Sequence, residues 1–370
     1  MNANPSKRLL SLDVLRGITV AGMILVNTPG SWSYVYAPLK HAPWIGLTPT
    51  DLVFPFFMFM MGISTYISLR KYQFRLTAEA GRKLLRRTLV LFALGFLLNL
   101  YGQAVFGEGN PLAHVRVLGV LQRFAICYGV AALLALTLKH RYLPFVAIGL
   151  LAGYFIFLVL GNGFAYGPDN ILSKVDMAVL GPNHLLNDHG IDPEGVLSQL
   201  PAIAHVLIGF CCGKWLMQAP DIRQKMLRLF LVGTTLAIGG YLLSYGCPIS
   251  KKAWSPTFVL VTCGMAAALL ALLIEVIDVQ GRVRWSRPFD TFGVNPLFLY
   301  VFSEALAITL NGITLPFGDG RASLHDIAYQ AVLRPLLGDY GGSLAYALLF
   351  VFVCWAVGYV LHRKRIYIKI

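Results

Sequence analysis

Leu52-Val53-Phe54-Pro55-Phe56-Phe57-Met58-Phe59-Met60-Met61-Gly62-Ile63-Ser64-Thr65-Tyr66-Ile67-Ser68-Leu69 runs eighteen residues without a charge. Asp51 opens it, and Arg70, Lys71, Arg75, Arg82, Lys83, Arg86 and Arg87 follow it. A helix rises ~1.5 Å per residue, so about 20 apolar residues cross the hydrocarbon core of a bilayer. Backbone groups in hydrocarbon must be paired within the segment, so such a run is read as a helix. Working outward, nine more runs of this kind appear: Leu12–Pro29, Leu84–Tyr101, Val117–Leu138, Leu143–Leu160, Leu197–Met217, Leu227–Tyr245, Pro256–Ile277, Phe289–Leu310 and Ser343–Leu361. The expected fold class is an all-α polytopic membrane protein of about ten transmembrane helices, with residues 1–370 forming one integral-membrane domain.

Composition agrees. Of 370 residues, 57% are hydrophobic and 13% charged, where soluble chains carry roughly 25% charge. Mean hydropathy is +0.66. The net charge of +14 would point to nucleic acid in a soluble protein. In a membrane protein Lys and Arg collect in cytoplasmic loops, so no nucleic-acid partner is expected. Five of the six cysteines lie inside apolar runs and Cys247 ends one. No CxxC or metal-type spacing occurs, so neither a disulfide framework nor a metal site is expected. The first run contains Asp13 and Arg16 and is followed by no small-residue cleavage pattern, so it reads as a retained helix.

Loop charge sets the expected topology. Basic residues follow the second run, then the fourth (Lys139, Arg141), the sixth (Lys214, Arg223, Lys225, Arg228) and the eighth (Arg282, Arg284, Arg287). The tail adds Arg363, Lys364, Arg365 and Lys369. The segment 161–196 carries Asp169, Asp176, Asp188, Asp192 and Glu194 against Lys174. Both termini are therefore expected in the cytoplasm, with long outward loops at 161–196 and 312–342. No internal repeat of the kind common in transporters is visible.

Ionisable and amide groups in membrane spans are costly and mark functional candidates. Asp13 and Arg16 sit one turn apart and fit an interfacial pair equally well. Asn27, Asp51, Asn99, Arg123, Glu275, Asn295 and Glu304 lie in or beside runs; Glu275, close to a run end, fits the interface. Arg123, in Gly119-Val120-Leu121-Gln122-Arg123, is too deep to snorkel easily. His41, in Lys40-His41-Ala42-Pro43-Trp44, has two readings. It is a general base or nucleophile on the outward side, or a headgroup histidine beside an anchoring Trp44. His184-Leu185-Leu186-Asn187-Asp188 has the HxxxD spacing of some soluble acyltransferases. Asn183 and His189 depart from the fuller pattern. No GxSxG, P-loop or GxGxxG is present.

Taken together these segments resemble the heparan-α-glucosaminide N-acetyltransferase family and its bacterial relatives. The resemblance runs from Ser11-Leu12-Asp13-Val14-Leu15-Arg16-Gly17 through Val26-Asn27, Lys40-His41-Ala42-Pro43-Trp44 and Gly46-Leu47-Thr48 to Asp51-Leu52-Val53-Phe54-Pro55-Phe56-Phe57 and Met61-Gly62. It resumes at Gly119–Arg123, Asp192-Pro193-Glu194-Gly195, Gly293-Val294-Asn295 and Arg363-Lys364-Arg365-Ile366. Without the long N-terminal domain of the lysosomal member, the chain resembles the compact bacterial form, which implies the bacterial inner (cytoplasmic) membrane.

The resemblance implies transfer of an acetyl group from cytoplasmic acetyl-CoA to the amine of an amino sugar across the membrane. It implies that His41 is the active-site histidine and that Asn27 is the amide at the end of the first span. Asp51 then orients the imidazole or binds the sugar ammonium. Arg123, Asn295, Arg86 and Arg87 are candidates for acetyl-CoA, whose phosphates suit guanidinium forks. Arg82 and Lys83 belong to the same basic cluster, which also serves topology alone. Asp192, Glu194 and His184 are candidates for the acceptor. The lysosomal relatives raise the expectation of a homodimer. An amino-sugar permease and an acyltransferase acting on another envelope glycan remain open as alternatives.

Overall fold

A computed structural model of the chain describes residues 9–186, 188, 190–318 and 320–368. Its helices are α1 (Leu10–Asn27), α2 (Thr50–Leu69), α3 (Ala78–Phe106), α4 (Pro111–His114), α5 (Val120–Thr137), α6 (Leu143–Leu160), α7 (Ile171–Leu180), α8 (Gln199–Gln218), α9 (Ile222–Leu243), α10 (Pro256–Leu273), α11 (Arg287–Val294), α12 (Pro296–Gly312), α13 (Leu324–Ile327) and α14 (Arg334–Arg363). Among the described residues, nine helical segments are long and apolar enough to cross a bilayer, and a bent pair makes a tenth. The protein is an all-α polytopic membrane protein; among the described residues one antiparallel hairpin pairs β1 (Thr314–Phe317) with β2 (Gly320–Ser323).

The bundle has a core and a rim. In α1, α2, α5, α8 and α10, 61–72% of the apolar window is buried; in α3, α6, α9 and α14 only 11–28% is. The rim helices turn Leu85, Leu89, Leu97, Ile238 and Leu242 outward. That is costly in water and correct in lipid. Lipid gives helices no hydrophobic reason to associate, so close backbone packing must hold the core. α2 and α8 meet where a Cβ on Gly62 would lie 2.3 Å from the Val206 carbonyl oxygen, and one on Gly209 2.3 Å from that of Phe59. Alanine at either site would push the two central helices apart.

The ninth expected run, Phe289–Leu310, is not one straight helix. α11 and α12 meet at 87°. Pro296 has no backbone N–H to continue the helix, and Asn295 leaves helical geometry at φ −125°, ψ 53°. The Asn295 side chain turns to the C-terminal tail: Nδ2 donates to Ile366 O (2.9 Å) and Oδ1 accepts from Ile368 N (2.9 Å). At the same end of the bundle, Leu10 N donates to Asp278 Oδ1 (3.0 Å). The start of α1, the turn after α10 and the tail therefore lie together, opposite the end that carries His41.

Both long loops have structure. Residues 161–196 hold α7, capped by Asn170, whose Oδ1 accepts from Leu172 N (2.8 Å) while Nδ2 donates to Gly163 O and Ala165 O. This loop closes over a small second core of Trp44, Tyr154, Leu158, Leu172, Ile191 and Ala253. Trp44 is thus an interior residue rather than a headgroup anchor. It stacks on Tyr166 at 4.9 Å and donates Nε1–H to Phe164 O (2.7 Å). Segment 312–342 contains the hairpin, α13 and the first turns of α14, which bends at Gly338 (φ 72°).

Candidate active site

Between α1 and α2 the chain is irregular, and Asp51 organises it. One carboxylate oxygen, Oδ2, accepts from Ala42 N (3.1 Å), Thr48 N (3.0 Å) and Thr48 Oγ1 (3.0 Å). The other, Oδ1, lies 2.6 Å from His41 Nδ1. Thr48 Oγ1 also contacts Lys40 O at 2.7 Å, and Gly46 N donates to Ile249 O at 2.8 Å. Asp51 is fully buried while the His41 side chain is 40% exposed. The carboxylate thus holds one imidazole nitrogen and the other edge faces a cavity of about 300 Å³. A carboxylate that only accepts fixes the ring proton on Nδ1, leaving the lone pair on Nε2.

Asn27, Phe54, Glu194, Lys251, Lys252 and Tyr300 share that cavity with His41. Asn27 Nδ2 donates to Glu304 Oε1 (3.2 Å). The structure places Asn27 and His41 on one cavity wall, with Asp51 against the His41 ring. Lys251 escaped the sequence-based expectation. Its Nζ lies 3.0 Å from His41 Nδ1, 3.2 Å from Nε2 and 3.7 Å from Asp51 Oδ1. Burial draws this ammonium below the usual lysine value, against the pull of Asp51 and then Glu194. Beside it, Lys252 Nζ lies 2.5 Å from Asp188 Oδ2 and 2.8 Å from the Tyr166 hydroxyl. A signal for both lysines did exist in the sequence. They follow the seventh run, a loop expected outward, where basic residues are against the rule.

The acidic candidates are largely occupied. Arg116 donates to Asp192 through Nε (3.1 Å) and Nη2 (2.5 Å), and to Glu194 Oε2 through Nη2 (2.5 Å). Asp192 also accepts from Leu186 N and Glu194 N, both at 2.8 Å. Burial alone would raise Glu194, but Arg116 and then Arg123 draw it below the usual carboxylate value. Of this pair, Glu194 reaches the cavity and Asp192 is not on its wall. His184 bonds Val115 O through Nδ1 (2.8 Å) and stitches this loop to the chain before α5. In the HxxxD spacing around it, Asn187 and His189 lie outside the described residues.

The four candidates for acetyl-CoA separate. Arg123 is fully buried on the first turns of α5, donates to Ser198 Oγ and sits 4.8 Å over the Trp254 ring. Asn295 is committed to the tail. Arg86 is exposed, while Arg87 stacks 4.4 Å over Tyr128 and lines a second cavity of about 220 Å³. Arg16 and Ser64 share that cavity, joined by a 2.8 Å hydrogen bond. The two cavities lie back to back. Phe54 lines the first, Phe57 and Phe124 line the second, and Phe124 packs on Phe54 at 5.1 Å and on Phe57 at 4.9 Å. One layer of aromatic rings divides a chamber with a histidine from a chamber with two arginines.

Comparison with known proteins bears on this arrangement. The family model described as heparan-alpha-glucosaminide N-acetyltransferase, catalytic, matches residues 8–245, more than half of the chain. The chain is 29% identical to the heparan-alpha-glucosaminide N-acetyltransferase of Mus musculus over 81% of this chain and 54% of that protein. It is 28% identical to that of Homo sapiens over 80% of this chain and 53% of that one. It is also 26% identical to an uncharacterized 39.9 kDa protein in the amylase 3' region of Bacillus acidopullulyticus, over 68% of this chain and 73% of that protein. The chain spans about half the length of the two mammalian relatives. The matched segment carries Asn27, His41, Asp51, Arg87 and Glu194 but ends before Lys251. The chain belongs to the heparan-alpha-glucosaminide N-acetyltransferase family.

Proposed function

We propose that the protein transfers an acetyl group from acetyl-CoA, bound on the cytoplasmic side, to the amine of a glucosaminide held on the opposite side of a bacterial inner membrane. The observation that carries this reading is the pair of back-to-back chambers. One holds an imidazole oriented by a buried carboxylate, and the other offers Arg16, Arg87 and Ser64. CoA phosphates need cations, and a thioester must meet a basic nitrogen. The pantetheine arm is the part narrow enough to approach the aromatic layer.

The chemistry follows from Nε2. The neutral sugar amine attacks the thioester carbonyl and the C–N bond forms. The amine proton passes to Nε2 of His41. The tetrahedral oxyanion then collapses, the C–S bond breaks, and the imidazolium returns its proton to the departing sulfur. Asp51 keeps the ring in the useful tautomer and stabilises the transient imidazolium. A route in which Nε2 attacks first uses the same atom and passes through acetyl-His41. Asn27, on the chamber wall, is a donor for the substrate or the developing oxyanion. Glu194 supplies negative charge toward a cationic acceptor.

The test uses the full chain in sealed proteoliposomes. Acetyl-CoA is supplied on one side and glucosamine or a glucosaminide on the other. Acetylated sugar should form only when both are present, and His41→Ala should abolish it. Uptake of unmodified sugar without acetyl-CoA would point to a permease instead.

A further inference from the structure

We propose that Lys251 is a catalytic residue of this transfer, the cationic donor that stabilises the oxyanion of the tetrahedral intermediate. The assignment rests on the transferase reading above and adds to it a group that lies beyond residues 8–245, the segment that the family model matches.

The geometry is specific. Nζ lies 3.0 Å from His41 Nδ1 and 3.2 Å from Nε2, the atom that takes the amine proton in one route and attacks the thioester carbon in the other. With the ring proton on Nδ1 bound to Asp51, the in-plane lone pair of Nε2 stays open toward the substrate. Nearly equal distances to the two ring nitrogens put the ammonium over the ring, beside that lone pair rather than on its axis. When the thioester carbon is attacked beside Nε2, the Lys251 N–H groups stand within reach of the oxygen on which negative charge develops. A donor in this position acts where charge develops and needs little rearrangement at the moment of reaction.

The surroundings keep the charge available. Asp51 stands 3.7 Å from Nζ, and Glu194 adds a second carboxylate. Arg123 opposes them from within the bundle. Asp188 is engaged by Lys252, and Asp192 by Arg116. The Lys251 side chain is 17% exposed, too enclosed for water to take over its role.

The experiment compares Lys251→Met, Lys251→Arg and His41→Ala with wild type in the acetyl-transfer assay, with and without added ethylammonium. Loss of one oxyanion donor costs about 10²–10³-fold in kcat, so Lys251→Met should fall by that much. KM for the acceptor should hold within about threefold, because the contact forms only in the transition state. Arginine, and ethylammonium added to the Met variant, should restore part of the rate. Equal loss in Met and Arg with no return in ethylammonium would overturn the electrostatic role. So would a Met variant at wild-type kcat beside an inactive His41→Ala, and that result would leave the transferase reading intact. A wild type that acetylates no amino sugar would remove both.

Discussion

His41 Nδ1 and Asp51 Oδ1 lie 2.6 Å apart, one in an irregular loop and the other in the first turn of α2. The carboxylate is held from behind by Ala42 N, Thr48 N and Thr48 Oγ1, so it has no freedom to turn away. Asp51→Asn keeps the shape but presents a donor to Nδ1 and reverses the tautomer. In a triad the same change costs about 10⁴-fold in kcat, so Asp51→Asn should lose roughly 10²–10⁴-fold with acceptor KM little altered. Steady-state kinetics at saturating acetyl-CoA measure this, and an unchanged kcat would dismiss the orienting role.

Neighbouring arginines on α3 should behave differently. Arg87 lines the inner chamber and Arg86 faces outward. Charge-assisted hydrogen bonds are worth about 1.5–3 kcal/mol, so Arg87→Ala should raise KM for acetyl-CoA by roughly 10–100-fold. Arg86→Ala should stay within about twofold of wild type, as exposed charges contribute little. Equal effects from the two would place the CoA phosphates somewhere else.

Arg116 is a structural clamp. It is the shared cation of Asp192 and Glu194, both buried. Removing one partner of a buried pair costs on the order of 3–5 kcal/mol, because the other charge is left uncompensated. Arg116→Met should lower the thermal midpoint of the purified protein markedly and disorder the 161–196 loop. Limited proteolysis between Asn162 and Val196 reads the loop directly; a pattern identical to wild type would contradict the clamp.

Asp176 should make stability depend on pH. Burial pushes its carboxyl up to about 6, opposed by the Val196 N–H bond and reinforced by Asp192. The folded value lies above the unfolded value of about 3.9, so the folded state binds this proton more tightly. Stability from this group is greatest below about pH 4, falls as pH rises to about 6 and is level above that. Asp176→Asn keeps an acceptor for Val196 N and removes the ionisation. At 1.36 kcal/mol per unit, the variant should gain on the order of 1–3 kcal/mol at pH 7.5 and nothing at pH 4. Unfolding midpoints at the two pH values decide it; an identical pH slope in both proteins would refute the prediction.

Much of this was legible in the sequence because two signals are local. Hydrophobic run length gives the spans, and the family resemblance around Asn27, His41 and Asp51 gives residues that the α1–α2 connection then brings together. What was illegible depends on contacts distant in sequence. Arg116 meets Asp192 across 76 residues and Lys251 meets His41 across 210. Nothing in either neighbourhood announces the other. Asn295 looked like a ligand contact because a polar amide in an apolar run is expensive; its partners are the backbone of the tail. The break at Pro296 was visible as a proline, but its angle depends on how α11 packs against α1 and α14.

The layer formed by Phe54, Phe57 and Phe124 has an electrical consequence. With solvent in both chambers, the insulating part of the membrane here thins from the whole bilayer to a few ångströms of ring. Most of the transmembrane voltage then drops across those rings. An anion driven against it gains or loses about 2.3 kcal/mol per charge per 100 mV. The phosphates stay on the arginine side and only the uncharged thioester arm approaches the rings, so presentation of the donor to His41 should change little with membrane potential.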